Sequence, residues 1–287
     1  MKFGSTGIQL GWVNKDQMQR ARSGALSLMW VGVISLLPEM FEGFQRYGVA
    51  RRALSDSGQE ATPSLDCHFF NPRSYTTRNN GQVDDKPYGG GPGMVMQAEP
   101  LEAALNDARR LSPDGAGTQL IVPTPQGKPL TQDLIRTLAE QSALIFLCGR
   151  YEGFDERVLA SGGEVTEVSL GDFVLTGGEL PTQVMLDAIS RWLPGTLGNA
   201  ESAASDSFAD GLLEAPAYTR PERLVDGREV PDVLLGGNHA QIARYRRKQA
   251  LKRTLARRPE LLLQVRLTTE DRALLMELFA EQGENNT

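Results

Sequence analysis

A chain of 287 residues, 40% apolar and 23% charged, has the composition of a globular protein with room for one large domain or two ordinary ones. No apolar run approaches the roughly 18 residues needed to span a bilayer. Two cysteines (Cys67, Cys148) and two histidines (His68, His239) are too few for a disulfide framework or a Cys/His zinc site, and they fit a reducing cytoplasm.

Residues 1–28 carry four basic residues and one acid around no apolar h-region, so they read as a disordered extension rather than a signal peptide. The span 29–37 (MWVGVISLL) is a continuous apolar run, expected of a strand buried on both faces. Pro38 then opens a predicted helix with Phe41, Phe44 and Tyr47 at helical spacing. Residues 97–111 repeat Leu101, Ala104, Leu105 and Ala108 as an amphipathic helix. A strand over 118–123 follows, and Thr131 caps a helix running to about Gln141. Residues 143–148 (ALIFLC) form a second buried strand, 165–169 a third, and 178–193 a helix containing Val184, Leu186, Ile189 and Leu193. Strand and helix alternate, which indicates an α/β fold with a parallel sheet.

Residues 194–211 break that pattern with eighteen residues rich in Gly, Ala, Ser, Asn and Asp. A loop of this length is usually a linker or a functional segment. Helices follow from 212, the clearest over 238–256 and 268–282. The expected organisation is a catalytic body over 29–195, a linker over 196–211 and a helical domain over 212–287.

Charge follows the same division. Residues 29–198 hold 13 basic and 21 acidic residues, while residues 199–287 hold 13 and 14. Within the second part, Arg244 to Arg258 packs eight basic residues into fifteen with no acid. An acidic body with one dense basic segment can bind RNA locally, and a solvated helix face has the same composition.

Glycine is concentrated in four places. Residues 88–94 read YGGGPGM, 125–127 follow the strand at 118–123, 148–153 read CGRYEG directly after another strand, and 171–179 read GDFVLTGGE. Open α/β sheets bind ligands at the carboxyl ends of their strands, where glycine lets backbone groups approach a ligand. Each turn alone is explained by tight geometry; their convergence points to a pocket. Neither the Walker A nor the G-x-G-x-x-G phosphate cradle is present.

The segments DDKPYGGGPGMVM (84–96), GRYEGFDERV (149–158), SLGDFVLTGGELP (169–181), DSFADGLLEAPAYTRPE (206–222) and LLGGNHAQIARYRRKQALKRT (234–254) occur in an order that resembles the bacterial tRNA (guanine-37-N1)-methyltransferases. The resemblance runs from Met29 to about Leu262. It implies the SPOUT class, whose parallel α/β sheet contains a deep trefoil knot, followed by a small helical domain. It implies S-adenosylmethionine held by Pro123, Thr124, Pro125 and Gly127, by Gly149, Tyr151 and Gly153, and by Ser169, Leu170, Gly171, Leu175, Gly177 and Gly178. It leaves a role for Mg2+ open.

By the same resemblance Asp206 is the general base. Guanine N1 keeps its proton at neutral pH, so methylation needs a carboxylate to remove it. Arg191 would stabilise charge developing on O6, and Glu152 would contact the target base or assist a metal. Taken alone, without the resemblance, Asp206 in Ser-Asp-Ser reads as a helix cap before it reads as a base. Arg244, Arg246, Arg247, Lys248, Lys252 and Arg253, with Arg257 and Arg258, would meet tRNA phosphates. Tyr245 among them either packs or stacks on a base. The resemblance also implies a homodimer whose active site is shared between subunits. The sequence departs from the family pattern at Arg78–Gln82, Ser205 and Ala217. The rival readings are a Rossmann-like methyltransferase and a non-catalytic RNA-binding protein.

Overall fold

The computed structural model describes residues 28–54, 64–160, 163–198 and 206–284. Nearly all of the expected N-terminal extension, and residues 199–205 of the expected linker, lie outside the described residues. The chain divides into two compact units at Ala200 and Glu201.

The first unit begins with β1 (Met29–Ile34), a 3-10 turn at Pro38–Phe41, α1 (Glu42–Arg46) and α2 (Ala50–Leu54). The continuous helix expected from Pro38 is therefore broken. Phe41 is buried and Phe44 packs on the core, but Tyr47 takes an extended conformation and Gly48 turns the chain at φ 75°, leaving Tyr47 75% exposed. Next comes β2 (Leu65–Phe70), a strand that apolar periodicity does not reveal. Its polar residues satisfy one another: His68 Nε2 lies 2.8 Å from Asp66 Oδ2, and the imidazole stacks on Trp30 with ring centroids 5.3 Å apart. The short antiparallel pair β3 (Asp84–Asp85) and β4 (Val95–Met96) brackets the glycine-rich segment at 88–94.

The remaining elements alternate as expected: α3 (Ala98–Leu111), β5 (Gln119–Pro129), α4 (Gln132–Ala139), β6 (Ala143–Leu147), α5 (Arg157–Ala160), β7 (Val165–Ser169) and α6 (Glu179–Ser190). Thr131 caps α4, its hydroxyl accepting from the Leu134 N–H at 3.2 Å. The sheet runs in the order β2-β1-β6-β5-β7, and every pairing is parallel. Both faces are covered. Met29, Val31, Val33, Leu144 and Phe146 join one core with α6, while Trp30, Ile34, Ala143, Ile145 and Leu147 join another with α3. Fully burying a side chain such as Leu144 or Phe146 stabilises the fold by about 1.5–3 kcal/mol each. That double burial is why β1 and β6 read as unbroken apolar runs.

β5 extends beyond the expected 118–123. Both Pro123 and Lys128 register with Val168, so Thr124–Gly127 bulge from a ladder that resumes at Lys128. The turn expected after the strand is an irregularity within it.

The second unit contains a 3-10 turn at Asp232–Leu234, then α7 (His239–Arg257), α8 (Pro259–Leu262) and α9 (Thr269–Glu284). Asn238 caps α7 by accepting from the Gln241 N–H at 3.2 Å. Leu212, Ala250, Leu251, Leu274 and Leu278 form its own core. Among the described residues no helix is long and apolar enough to cross a membrane.

Candidate cofactor pocket and nucleic-acid interface

In the first unit the bulge of β5, the turn after β6 and the segment after β7 enclose a cavity of about 340 Å3 at the carboxyl ends of the strands. That volume falls in the roughly 300–1,000 Å3 range of small-molecule sites. Twelve of the thirteen residues expected to hold a cofactor line it. Gly127 does not. A Cβ there would sit 2.3 Å from the Val168 backbone nitrogen and 2.4 Å from the Glu167 carbonyl carbon, so Gly127 lets β5 approach β7 and shapes the bulge from behind.

Two other glycines hold the pocket together through close approach. The Gly178 N–H donates to the Gly149 carbonyl at 2.9 Å, and a Cβ on Gly178 would fall 2.6 Å from Cys148 Cα. A Cβ on Gly177 would lie 2.4 Å from Arg150 Nε. A side chain at 177 therefore displaces Arg150 first. Arg150 itself reaches the fully buried Glu179, Nε to Oε2 at 2.8 Å, and Ser35 Oγ donates to Glu179 Oε1 at 2.7 Å. The Arg150–Glu179 approach is ionic, without hydrogen-bond alignment.

Glu152 sits exposed on the rim. Its N–H donates to the Met94 carbonyl at 3.0 Å, and its carboxylate rests over Gly93, where a Cβ would lie 2.6 Å from Oε1. Among the described residues no group of three or more His, Cys, Asp or Glu side chains is arranged to hold a metal ion. Arg191 terminates α6 in the first unit. Asp206 belongs to the second unit, and its carbonyl accepts from the Ala209 N–H at 3.1 Å. No helix starts there, since residues 207–210 form turns, so the helix-cap reading of Asp206 loses its helix. Asp206 instead lines a second cavity of about 920 Å3, with Leu212, Tyr218, Arg220, Leu234 and Arg246 among its walls. Nothing in the sequence pattern signalled this cavity, because most of its walls come from the irregular segment 206–235, which has no periodicity.

The basic segment forms α7, and ion pairing divides it. Arg247 forks onto Asp271 (Nε–Oδ1 2.6 Å, Nη2–Oδ2 3.0 Å) and also meets Asp210. Those hydrogen bonds from Arg247 hold the Asp271 carboxyl down at about 2. Lys248 Nζ reaches Glu277 at 2.9 Å and Glu281 at 2.6 Å, Arg244 pairs with Glu277, and Arg258 pairs with Glu260. Arg253 donates to the Glu214 carbonyl at 3.2 Å, and among the described residues it forms no ion pair. Among the described residues Arg246, Lys252 and Arg257 form no ion pair. Burial, then a hydrogen bond with Tyr218, raises the Tyr245 phenol above its ordinary range.

Over residues 29–264 the chain matches the family model described as tRNA (Guanine-1)-methyltransferase TrmD. The chain belongs to this family. It is thus an enzyme of methyl transfer, and the non-catalytic and Rossmann-like readings fall away. A curated relative from Chromohalobacter salexigens, named tRNA (guanine-N(1)-)-methyltransferase, is 52% identical over 261 residues, covering 89% of this chain and 94% of the relative. One of the same name from Aliivibrio fischeri (strain MJ11) is 51% identical over 259 residues, covering 90% of this chain and all of the relative. The places where the sequence departs from the family pattern are also located. Arg78 pairs with Asp85 at 2.9 Å at the foot of the glycine-rich loop, Ala217 lines the second cavity, and Ser205 lies outside the described residues.

Proposed function

We propose that the chain transfers a methyl group from S-adenosylmethionine to N1 of the guanosine at tRNA position 37, beside the anticodon, in the cytoplasm. The observation that carries this reading is the convergence of twelve expected cofactor residues on one cavity in a chain of this family. The cavity suits the cofactor: Leu170, Leu175 and Pro181 offer apolar walls for a purine, and the glycine-bearing turns offer backbone donors and acceptors. When bound there, the cofactor supplies an electrophilic methyl group.

The remaining chemistry falls to the chain. Asp206 takes the N1 proton, which turns a poor nucleophile into a competent one. Arg191 stabilises the negative charge that then develops on O6, and Glu152, at the pocket rim, contacts the target base. The helical unit grips tRNA phosphates through the unpaired cations of α7. The trefoil knot of the SPOUT class fits the close passage of Gly178 over Cys148. A homodimer with a shared active site is supported by apolar side chains exposed on the first unit: Phe173, Val174, Leu180 and Val184.

The test is Asp206→Asn. Single-turnover methylation of a tRNA transcript should slow by about 10²–10⁴-fold, the range of general acid–base catalysis, while calorimetric affinity for S-adenosylmethionine stays near wild type. A rate within about threefold of wild type removes Asp206 from the mechanism.

A further inference from the structure

We infer that Glu179, which does not line the cavity, is a positioning residue for the cofactor pocket and acts through Arg150. The inference rests on the cofactor reading above.

The pocket has two walls of different origin, the turn after β6 and the segment after β7. Arg150 joins them. Its backbone forms an isolated antiparallel bridge with Gly177, its Nη1 donates to the Thr176 carbonyl at 3.4 Å, and its stem lies over Gly177. Its Nη2 also approaches Met40 Sδ at 3.0 Å. None of these contacts neutralises the guanidinium of a side chain that is only 17% exposed. Glu179 does, from the first turn of α6, where a carboxylate also favours the helix N-terminus.

Glu179 is in turn aimed by Ser35, at the carboxyl end of β1. The Ser35 hydroxyl donates to Oε1 and accepts from the Leu37 N–H at 3.0 Å, so its direction is set by the chain leaving the sheet. A buried pair of this kind contributes little net stability when intact. With one partner removed it leaves a buried charge uncompensated. Here that charge belongs to a wall of the pocket, so Arg150 would swing toward water and carry its hold on Gly177 and Thr176 with it. Ser35, Glu179 and Arg150 thus form a chain from the sheet to the ligand space.

The experiment measures S-adenosylmethionine affinity by calorimetry and tRNA affinity by filter binding, on the full chain. Wild-type binding of S-adenosylmethionine comes first, because its absence would defeat the cofactor reading and not this inference. Glu179→Gln should weaken cofactor binding by about tenfold or more and leave tRNA binding within about twofold. The neutral pair Arg150→Gln with Glu179→Gln should recover part of the lost affinity, because no charge is then stranded; this coupling is what a general loss of stability would not produce. Ser35→Ala, which removes only the aiming hydroxyl, should weaken cofactor binding by about threefold and decides the matter if Glu179→Gln does not fold. Cofactor affinity within about twofold of wild type in folded Glu179→Gln, or in Ser35→Ala where the first variant is lost, overturns the inference. So does a double variant whose losses simply add.

Discussion

Gly127 illustrates how a residue can matter to a ligand it never touches. It stands behind the bulge of β5, with the β7 backbone 2.3 Å from where its Cβ would be. Gly127→Ala must push the two strands apart, and overpacking of this kind costs about 1–3 kcal/mol. In a unit of this size each kcal/mol lowers the melting temperature by about 2–4 °C. The same displacement moves Pro123–Gln126, which line the cavity, so cofactor affinity should fall with the melting point. A thermal melt and calorimetric affinity both matching wild type would show that the strand pair opens freely there. Gly177 behaves differently. Its neighbour is the Arg150 side chain rather than backbone, so a methyl group at 177 displaces a guanidinium and not a strand.

At the scale of the element, α7 carries one charge composition and two faces. Arg244, Arg247 and Lys248 point toward acids of α9 or Asp210, and their charge is spent inside the unit. Arg246, Arg253 and Arg257 recur at i, i+7 and i+11, which places them along one stripe of a helix. Each phosphate contact contributes about 0.7–0.9 to the slope of log affinity against log salt. Arg246→Gln with Arg257→Gln should flatten that slope for tRNA by about 1.4–1.8. Arg247→Gln should leave the slope unchanged and lower the melting temperature, because it strands Asp271. Equal slopes for the two variants would mean that the ion pairs open on binding and all of α7 meets RNA. Elements differ in legibility for physical reasons. β1 and β6 declare themselves through burial, and α4 through its cap. β2 hides because Asp66 and His68 interrupt its apolar pattern and pair with each other in space. The pocket was legible as glycine turns after strands. The Ser35–Glu179 contact was not, since its partners lie 144 residues apart and neither leaves a local mark.

At the scale of the whole molecule, two units with separate cores raise the question of which copies cooperate. If the active site is shared, Asp206→Asn and Gly177→Val are each nearly inactive alone, yet a mixed dimer holds one intact site. Random exchange at equal amounts makes about half the dimers mixed, so about a quarter of wild-type sites should return. Methylation assayed after co-refolding tests this, and no gain despite proven exchange would put base and pocket in one chain. The order of the strands also sets a timetable. Trp30 pairs with Ala143, about 113 residues further along the chain. At about 5–20 residues per second, a ribosome takes about 6–23 seconds to make that stretch. Throughout, the nascent MWVGVI segment lacks its central neighbour and stays adhesive, the kind of uncovered apolar strand edge that makes incomplete chains prone to aggregate.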